Sequence, residues 1–394
     1  MADILLVGGG TAGHVLPAIA TADALRRMRP DLTVAFAGLP GSIEERLVGG
    51  AGHAFHTIEA APLPRRPSWE LLRVVPRLLR SVRVARTLLS REEVRAVVSF
   101  GGYVALPVAL AARSRLPLVL HEQNSRPGLA NRLASRTADQ VAVTFASTAS
   151  ELRTRGRVHV TGNPVQGRLR DLDVTGRRPG ARTHLGLDPM RPTVLAFGGS
   201  QGARSINRAV AGAAAAWRAL GVQVVHVTGR VDHSDAVGYW RAMGVEPDVG
   251  PVAGPNVATE VTSGTTALPR VRAVPFLDDM ADAYAAADVV IGRAGATSIA
   301  ELTVLGLPAV LVPYPHATAQ HQQGNAEALR RAGAAVVIDD AELTPDALAV
   351  EVASILGDPA RVGAMTMAAR SWGRPEAAEA LALLVLEAAE PDRA

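Results

Sequence analysis

Short apolar runs punctuate the chain, each ending in glycine, a turn or a polar cluster. In the first half they are ILLV (4–7), TVAFA (33–37), FHTIE (55–59), AVVSF (96–100), LPLVLHE (116–122), QVAVTF (140–145) and RVHV (157–160). Helix-period segments lie between them, for example over 17–28. Continuous apolar strands separated by helical crossovers predict a parallel sheet buried on both faces. TGNP (161–164) is a turn signal, and a polar, Arg-rich stretch follows to about 190. The pattern then restarts with TVLAFGGSQGA (193–203), VQVVHVTG (222–229), RAVPF (272–276), ADVVIG (287–292), PAVLVP (308–313) and AAVVID (334–339).

The strand–glycine loop–helix opening occurs twice, about 190 residues apart. The fold class is therefore α/β, with two Rossmann-like, doubly wound parallel-sheet domains over 1–163 and 164–373. A helix over about 374–390 is expected to pack back on the first domain. Two such domains facing each other would place a ligand cleft at the carboxyl ends of both sheets, an arrangement suited to a two-substrate transferase. Residues 245–270, rich in Gly, Pro, Val and Thr, read as a surface loop.

Composition narrows the classes. Of 394 residues 48% are hydrophobic, enough for packed cores, and a net charge of +4 with no nucleic-acid signature gives no reason to expect a nucleic-acid partner. Every basic residue other than His is Arg. With no Cys, disulfides and thiolate metal sites are excluded. A strand within three residues of the start leaves no room for a signal peptide, and no apolar run reaches the ~18 residues of a membrane span. The expected location is cytoplasmic, with any membrane contact peripheral.

The candidate chemistry sits in the glycine loops. Gly8, Gly10 and Gly13 satisfy G-x-G-x-x-G, but strand two ends FAGL and its nearest carboxylate is Glu44, several residues on. A nicotinamide site wants that acid at the strand end for the ribose, so the loop reads as an anion site without NAD. His14 lies beside it, as a packing residue at the helix start or as a general base kept neutral by the helix N-terminus. In DVVIGRAGATSIAELTVLGLPAVLVPYP (288–315) small residues let backbone approach a diphosphate, Thr297 and Ser298 add hydroxyls, and Glu301 can accept from two vicinal ribose hydroxyls. The polar PHATAQHQQGNA (315–326) could read sugar hydroxyls. Asp171-Leu172-Asp173 is formally D-x-D but does not follow a strand, so it reads as solvated. Neither a metal nor a cofactor is expected.

Nine pieces in order are GGGTAGHVLPA (8–18), SFGGYVALP (99–107), HEQNSRPGLANR (121–132), TGNPV (161–165), FGGSQGA (197–203), FLDDM (276–280), RAGATSIAEL (293–302), GLPAVLVPYP (306–315) and HQQGNA (321–326). Through them the chain resembles the MurG family of N-acetylglucosaminyltransferases. The resemblance implies a GT-B fold and inverting transfer of GlcNAc from UDP-GlcNAc, on the second domain, to undecaprenyl-linked lipid I, whose diphosphate meets the first loop. It implies that Thr11, Ala12 and Gly13 line the donor–acceptor junction, that Asn124 contacts the transferred sugar, and that Ser200 lies near the donor phosphates. Leu277 would meet uracil through its backbone, and Ala296, Thr297, Ser298, Ile299, Ala300 and Glu301 would hold diphosphate and ribose. His321 and Gln322 fall where the family commonly has two Gln. Gln166 stands where the family often has Arg, with Arg168 and Arg170 just beyond.

For the base His14 comes first, with Glu122 and Tyr103, on loops at the same sheet edge, behind it. The Arg-rich segment 65–91 has Leu71, Val75, Leu78, Val82, Ala85 and Leu89 on one helical face, with Arg73, Arg77 and Arg80 opposite. That pattern fits a crossover helix whose Arg face meets an anionic membrane surface, at the cytoplasmic face of the cell membrane. The rival readings are another GT-B glycolipid or natural-product transferase, a UDP-GlcNAc epimerase, and a non-enzymatic binder of UDP-sugar.

Overall fold

The computed structural model describes residues 2–60, 70–199, 202–250 and 270–390, with side chains of the Glu70–Arg91 helix described from Val74 onward. Ser200, residues 65–69 and residues 251–269 lie outside the described residues. Two compact units divide the chain: Met1–Gly167 with Arg374–Ala394, and Arg168–Gly373.

The first unit contains seven strands: β1 (Ile4–Val7), β2 (Val34–Gly38), β3 (Ala54–Thr57), β4 (Ala96–Ser99), β5 (Leu118–Glu122), β6 (Gln140–Val143) and β7 (Arg157–Val160). All pairs are parallel, in the order β3-β2-β1-β4-β5-β6-β7. Alternate residues of β1 serve opposite faces. Leu5 and Val7 join the core beneath helices Glu70–Arg91 and Ala105–Ala112, while Ile4 and Leu6 pack with helices Ala12–Met28 and Ala377–Ala389. The last helix thus returns to the first unit, where Leu381, Ala382 and Val385 are buried and the ion pairs Arg27–Glu379 (2.8 Å) and Arg29–Glu390 (3.0 Å) fasten its rim.

The second unit contains β8 (Thr193–Phe197), β9 (Gln223–Val227), β10 (Val271–Val274), β11 (Val289–Gly292), β12 (Ala309–Leu311) and β13 (Ala335–Val337), parallel in the order β10-β9-β8-β11-β12-β13. In both sheets the order reverses beside the first strand of the unit, at β1/β4 and β8/β11. A right-handed crossover on each side of that point leaves a crevice at the carboxyl ends.

Several expectations shift. The first helix begins at Ala12 instead of residue 17, so that His14 stands in its first turn, where the sequence reading has it, and Pro17 beyond it. Within 245–270, Asp248 pairs with the edge of β10, its N–H donating to Val271 O (2.8 Å) and its carbonyl accepting from Ala273 N–H (2.9 Å). On the Glu70–Arg91 helix the buried stripe runs through Val74, Val82, Ala85 and Leu89, and Val75 is 48% exposed. A helical stripe wide enough for either residue does not choose between neighbours until the sheet is in place.

The Arg-rich stretch after TGNP is structural. It folds as helices Gly167–Arg170 and Val174–His184, the latter capped by Asp173 accepting from Gly176 N–H (3.0 Å). Asp171 is exposed and bonded to Arg170, so the D-x-D pair is a cap and a surface ion pair. Arg182, only 5% exposed, donates to Asp288 (2.6 Å), Ala286 O (3.0 Å) and Pro189 O (3.1 Å). Truncation would leave two carbonyls without this donor and take one of the two guanidinium partners from Asp288, which keeps Arg178 (3.1 Å) and Thr193 N–H (2.8 Å). Arg182→Ala is therefore expected to cost about 1–3 kcal/mol, read as a lower denaturant midpoint for the second unit.

Candidate active site

In the first unit the loops after β1 and β4 meet at the switch point. Gly9 N–H donates to Gly101 O (3.3 Å). Gly102 has φ +91, and a Cβ there would lie 2.2 Å from the Gly9 carbonyl oxygen, so the contact is backbone against backbone. Gly10 N–H donates to Glu44 Oε1 (3.2 Å). Glu44, 1% exposed, comes from helix Ile43–Gly50. Its distance along the chain from strand two hid it; the short helix folds the carboxylate back under the loop. Gly9 and Gly10 are thus engaged; the Ala12–Met28 helix starts beside them with no side-chain cap at Thr11, whose carbonyl accepts from His14 N–H (3.1 Å).

His14 occupies that first turn, half-buried, with Nδ1 3.1 Å from Thr11 Oγ1. A proton on Nδ1 makes Thr11 the acceptor and Nε2 the basic nitrogen. Behind it His121 is fully buried and its Nε2 donates to Gly162 O (3.0 Å). Burial holds the His121 pKa down to about 4 against that hydrogen bond, with a further push from the neighbouring His14. Tyr103 is exposed in the loop after β4, its ring over Gly10.

Glu122 is not on a loop. It is the last residue of β5, 2% exposed, and its carboxylate is saturated. Oε1 accepts from the Asn124 N–H (3.0 Å) and Nδ2 (3.3 Å), and Oε2 accepts from Gly128 N–H (3.1 Å) and Asn131 Nδ2 (2.8 Å). Burial raises its pKa while these bonds oppose the shift. A carboxylate with about four acceptor positions all engaged has none left for a substrate proton. Its visible work is to brace Asn124, whose carbonyl also accepts from Thr148 Oγ1 (2.9 Å). Asn131 was missed at the sequence level, because only the folded loop reveals that it serves Glu122.

In the second unit helices Arg204–Gly212 and Ala296–Leu305 start at the β8/β11 switch point, both without a side-chain cap. Ala296, Ile299 and Ala300 turn their side chains into the core, so backbone is what they can offer a ligand, whereas Thr297 and Ser298 are half-buried. Glu301 Oε2 accepts from Tyr284 Oη (2.6 Å). Burial pushes the Glu301 pKa up to about 7, resisted by that hydrogen bond and by the Arg168 charge. Arg168 is 3.4 Å from Asp279, while Arg170 holds Asp171 through two bonds (2.7 and 2.9 Å). Arg168 thus lies on the Glu301 side of the unit; Gln166, half-buried, belongs to the first unit.

Arg293 braces the second loop, a role the sequence did not reveal. It donates to Asp340 Oδ1 (2.5 Å), Ser205 Oγ (3.0 Å) and Val312 O (3.1 Å), and its guanidinium stands 5.4 Å over the Tyr314 ring. Ser205 also donates to Asp340 (2.6 Å). Buried Asn325 donates to Ala294 O (3.1 Å). His321 Nδ1 donates to Thr318 O (2.6 Å), and burial lowers its pKa. Gln322 Oε1 accepts from Tyr314 N–H (2.9 Å), and exposed Gln323 reaches Asp339 (3.0 Å). His321 and Gln322 stand in the first turn of helix His321–Arg331, the helix whose Asn325 reaches Ala294, and Gln323 bonds Asp339. Leu277 is half-buried beside Phe276, over which Arg230 stacks at 4.5 Å. Among the described residues no three His, Asp or Glu converge as a metal site, and no helix is long and apolar enough to cross a membrane.

Residues 4–143 match the glycosyltransferase family 28 N-terminal domain, and residues 193–381 match the family's C-terminal domain. A Nocardioides sp. protein is 43% identical over 98% of this chain and 97% of its own length; it is named UDP-N-acetylglucosamine–N-acetylmuramyl-(pentapeptide) pyrophosphoryl-undecaprenol N-acetylglucosamine transferase. The chain belongs to the MurG family. A Mycobacterium avium relative of the same name is 42% identical over 98% of this chain and 88% of its own length. The crystal structure of Acinetobacter baumannii MurG superposes with a TM-score of 0.72 at 25% identity, over 98% of this chain and all of the other. The UDP-GlcNAc 2-epimerase of Neisseria meningitidis shares the fold alone, with a TM-score of 0.67 at 12% identity over 98% of this chain and all of the other. The MurG-family chain is thus a glycosyltransferase of the GT-B class.

The Gly9–Gly102 contact gives a direct test. Gly102→Ala places a methyl on carbonyl oxygen at a left-handed φ, and is expected to cost about 2 kcal/mol of stability and to push the two loops apart. A denaturant midpoint unchanged from wild type would show that the contact is not a constraint.

Proposed function

We propose that the protein transfers GlcNAc from UDP-GlcNAc to the C4 hydroxyl of MurNAc in undecaprenyl-linked lipid I, with inversion, giving lipid II. Identity of 42–43% over 98% of the chain to relatives whose name states both donor and acceptor carries the reading. The acceptor oxygen bonds to the anomeric carbon as the bond from that carbon to the UDP oxygen breaks on the opposite face. The C4 hydroxyl proton passes to His14 Nε2, with Thr11 holding the other ring nitrogen. Thr11, Ala12 and Gly13 line the junction, and Asn124, braced by Glu122, meets the transferred sugar. Tyr103 is in reach of the acceptor loop.

On the donor side the start of the Ala296–Leu305 helix stabilises the charge that develops on UDP. Thr297, Ser298 and Glu301 serve diphosphate and ribose, Leu277 serves uracil, and His321 with Gln322 reads the sugar hydroxyls. Assay with UDP-GlcNAc and a lipid I analogue is expected to give acceptor-dependent transfer; UDP-GlcNAc alone is expected to give no epimer. His14→Ala is expected to lower kcat by about 10²- to 10⁴-fold while UDP affinity stays near wild type. Near-normal turnover in that variant would remove His14 as the base.

The enzyme would meet its lipid at the cytoplasmic face of the membrane through the Glu70–Arg91 helix. Exposed Val75, Leu79 and Val84 stand among exposed Arg77, Arg80 and Arg83 on that helix. Each Arg near an anionic surface is worth about 1 kcal/mol. Arg77→Glu with Arg80→Glu is expected to release the protein from anionic vesicles in co-sedimentation, and wild-type binding insensitive to salt and to lipid charge would contradict the electrostatic contact.

A further inference from the structure

We infer that Tyr284 is a positioning residue, whose hydroxyl fixes the Glu301 carboxylate in the orientation that accepts the two ribose hydroxyls of a nucleoside diphosphate. The inference rests on the donor reading above. It adds the residue that makes the ribose, beside the base and the phosphates, a determinant of donor choice.

Tyr284 lies on helix Ala281–Ala286, 1% exposed, and its ring stands edge-on to Phe197 at 6.1 Å. Phe197 ends β8, directly before the glycine loop of the second unit. The tyrosine's mount is stiff. Arg177 (2.9 Å) and His184 (2.5 Å) both hold Asp282, and Arg182 holds the Ala286 carbonyl (3.0 Å), all from helix Val174–His184. Phenylalanine would fill nearly the same volume without burying a hydroxyl beside a desolvated carboxylate, so packing alone does not account for the pair. The hydroxyl spends its proton on Oε2 at 2.6 Å, and Oε1 accepts no hydrogen bond from the described residues.

The groups acting on Glu301 are Tyr284 from helix Ala281–Ala286 and Arg168 from helix Gly167–Arg170, the latter paired with Asp279. Burial, with the Glu301 charge adding to it, raises the Tyr284 pKa well above its ordinary value, so the phenol remains a donor. Burial raises Glu301 to about 7 while the tyrosine bond and Arg168 favour its ionised form. A carboxyl that takes up a proton loses acceptor capacity toward the ribose. UDP affinity is therefore expected to rise with pH through the Glu301 titration, and losing the tyrosine bond moves that midpoint upward.

The test is calorimetric titration of UDP and 2′-deoxy-UDP into wild type, Tyr284→Phe, Glu301→Gln and the double variant, from pH 6 to 9. Tyr284→Phe is expected to weaken UDP about tenfold and 2′-deoxy-UDP much less, and to raise the pH midpoint. It should raise the KM for UDP-GlcNAc more than it lowers kcat, and the double variant should bind UDP no worse than Glu301→Gln. Equal losses for both nucleotides, or additive losses in the double variant, overturn the inference. If Tyr284→Phe does not fold, Tyr284→Met removes the hydroxyl in a flexible apolar side chain; a loss of UDP affinity larger than that of 2′-deoxy-UDP supports the inference, and equal losses overturn it. Wild type that binds no UDP overturns the donor reading itself, whereas UDP binding that Glu301→Gln weakens and Tyr284→Phe does not overturns only the role of the tyrosine.

Discussion

A parallel strand can be reached from its neighbour only by a crossover, and crossovers of this kind take one hand. That constraint fixes everything functional in this chain. Each sheet is wound outward in both directions from its first strand, so the helices that follow β1 and β4, or β8 and β11, leave on opposite faces. The carboxyl ends of those strands are then the places where backbone amides face a crevice instead of a packed helix. The glycine loops stand there because side chains would close the gap: at Gly102 even a methyl would fall on the Gly9 carbonyl.

Once the crevices exist, their walls have to be held still, and the two units solve this in similar ways. In the first, a buried carboxylate at a strand end collects four donors from the loop and helix that follow, which ties residues 124, 128 and 131 to the end of β5. In the second, a guanidinium links the start of one helix, the end of a strand and a distant aspartate. Both are charged groups used as fasteners, each held by several hydrogen bonds in a low-dielectric setting. Reacting groups placed on such mounts lose little entropy when substrate arrives.

Apolar runs located the strands to within a residue or two, since burial on both faces leaves an unbroken hydrophobic signature. Glycine spacing located the loops and through them His14, the 296–301 helix start and Glu301. What the sequence concealed was long-range polar pairing. Glu44 is 34 residues from the amide it holds, and Arg182 is 106 residues from Asp288. Neither pairing leaves a local trace. Along the chain Glu44 stands too far past strand two to matter, and Arg182 belongs to a polar linker. The Glu70–Arg91 helix shows a finer limit. Neighbours at 74 and 75 differ by about 100° of helix rotation, and both fall near one apolar stripe until the sheet selects Val74.

The return of helix Ala377–Ala389 to the first unit makes that unit discontinuous, with the whole of the second inserted between its sheet and its last helix. During synthesis the part of the sheet face formed by β4, β5 and β6, with Val98, Val119 and Ala142, would wait uncovered while the second unit is made and folded. The continuous unit can therefore complete first, although it is encoded later. The first unit must hold a half-clothed sheet in the meantime, a stage at which binding by a chaperone competes with aggregation.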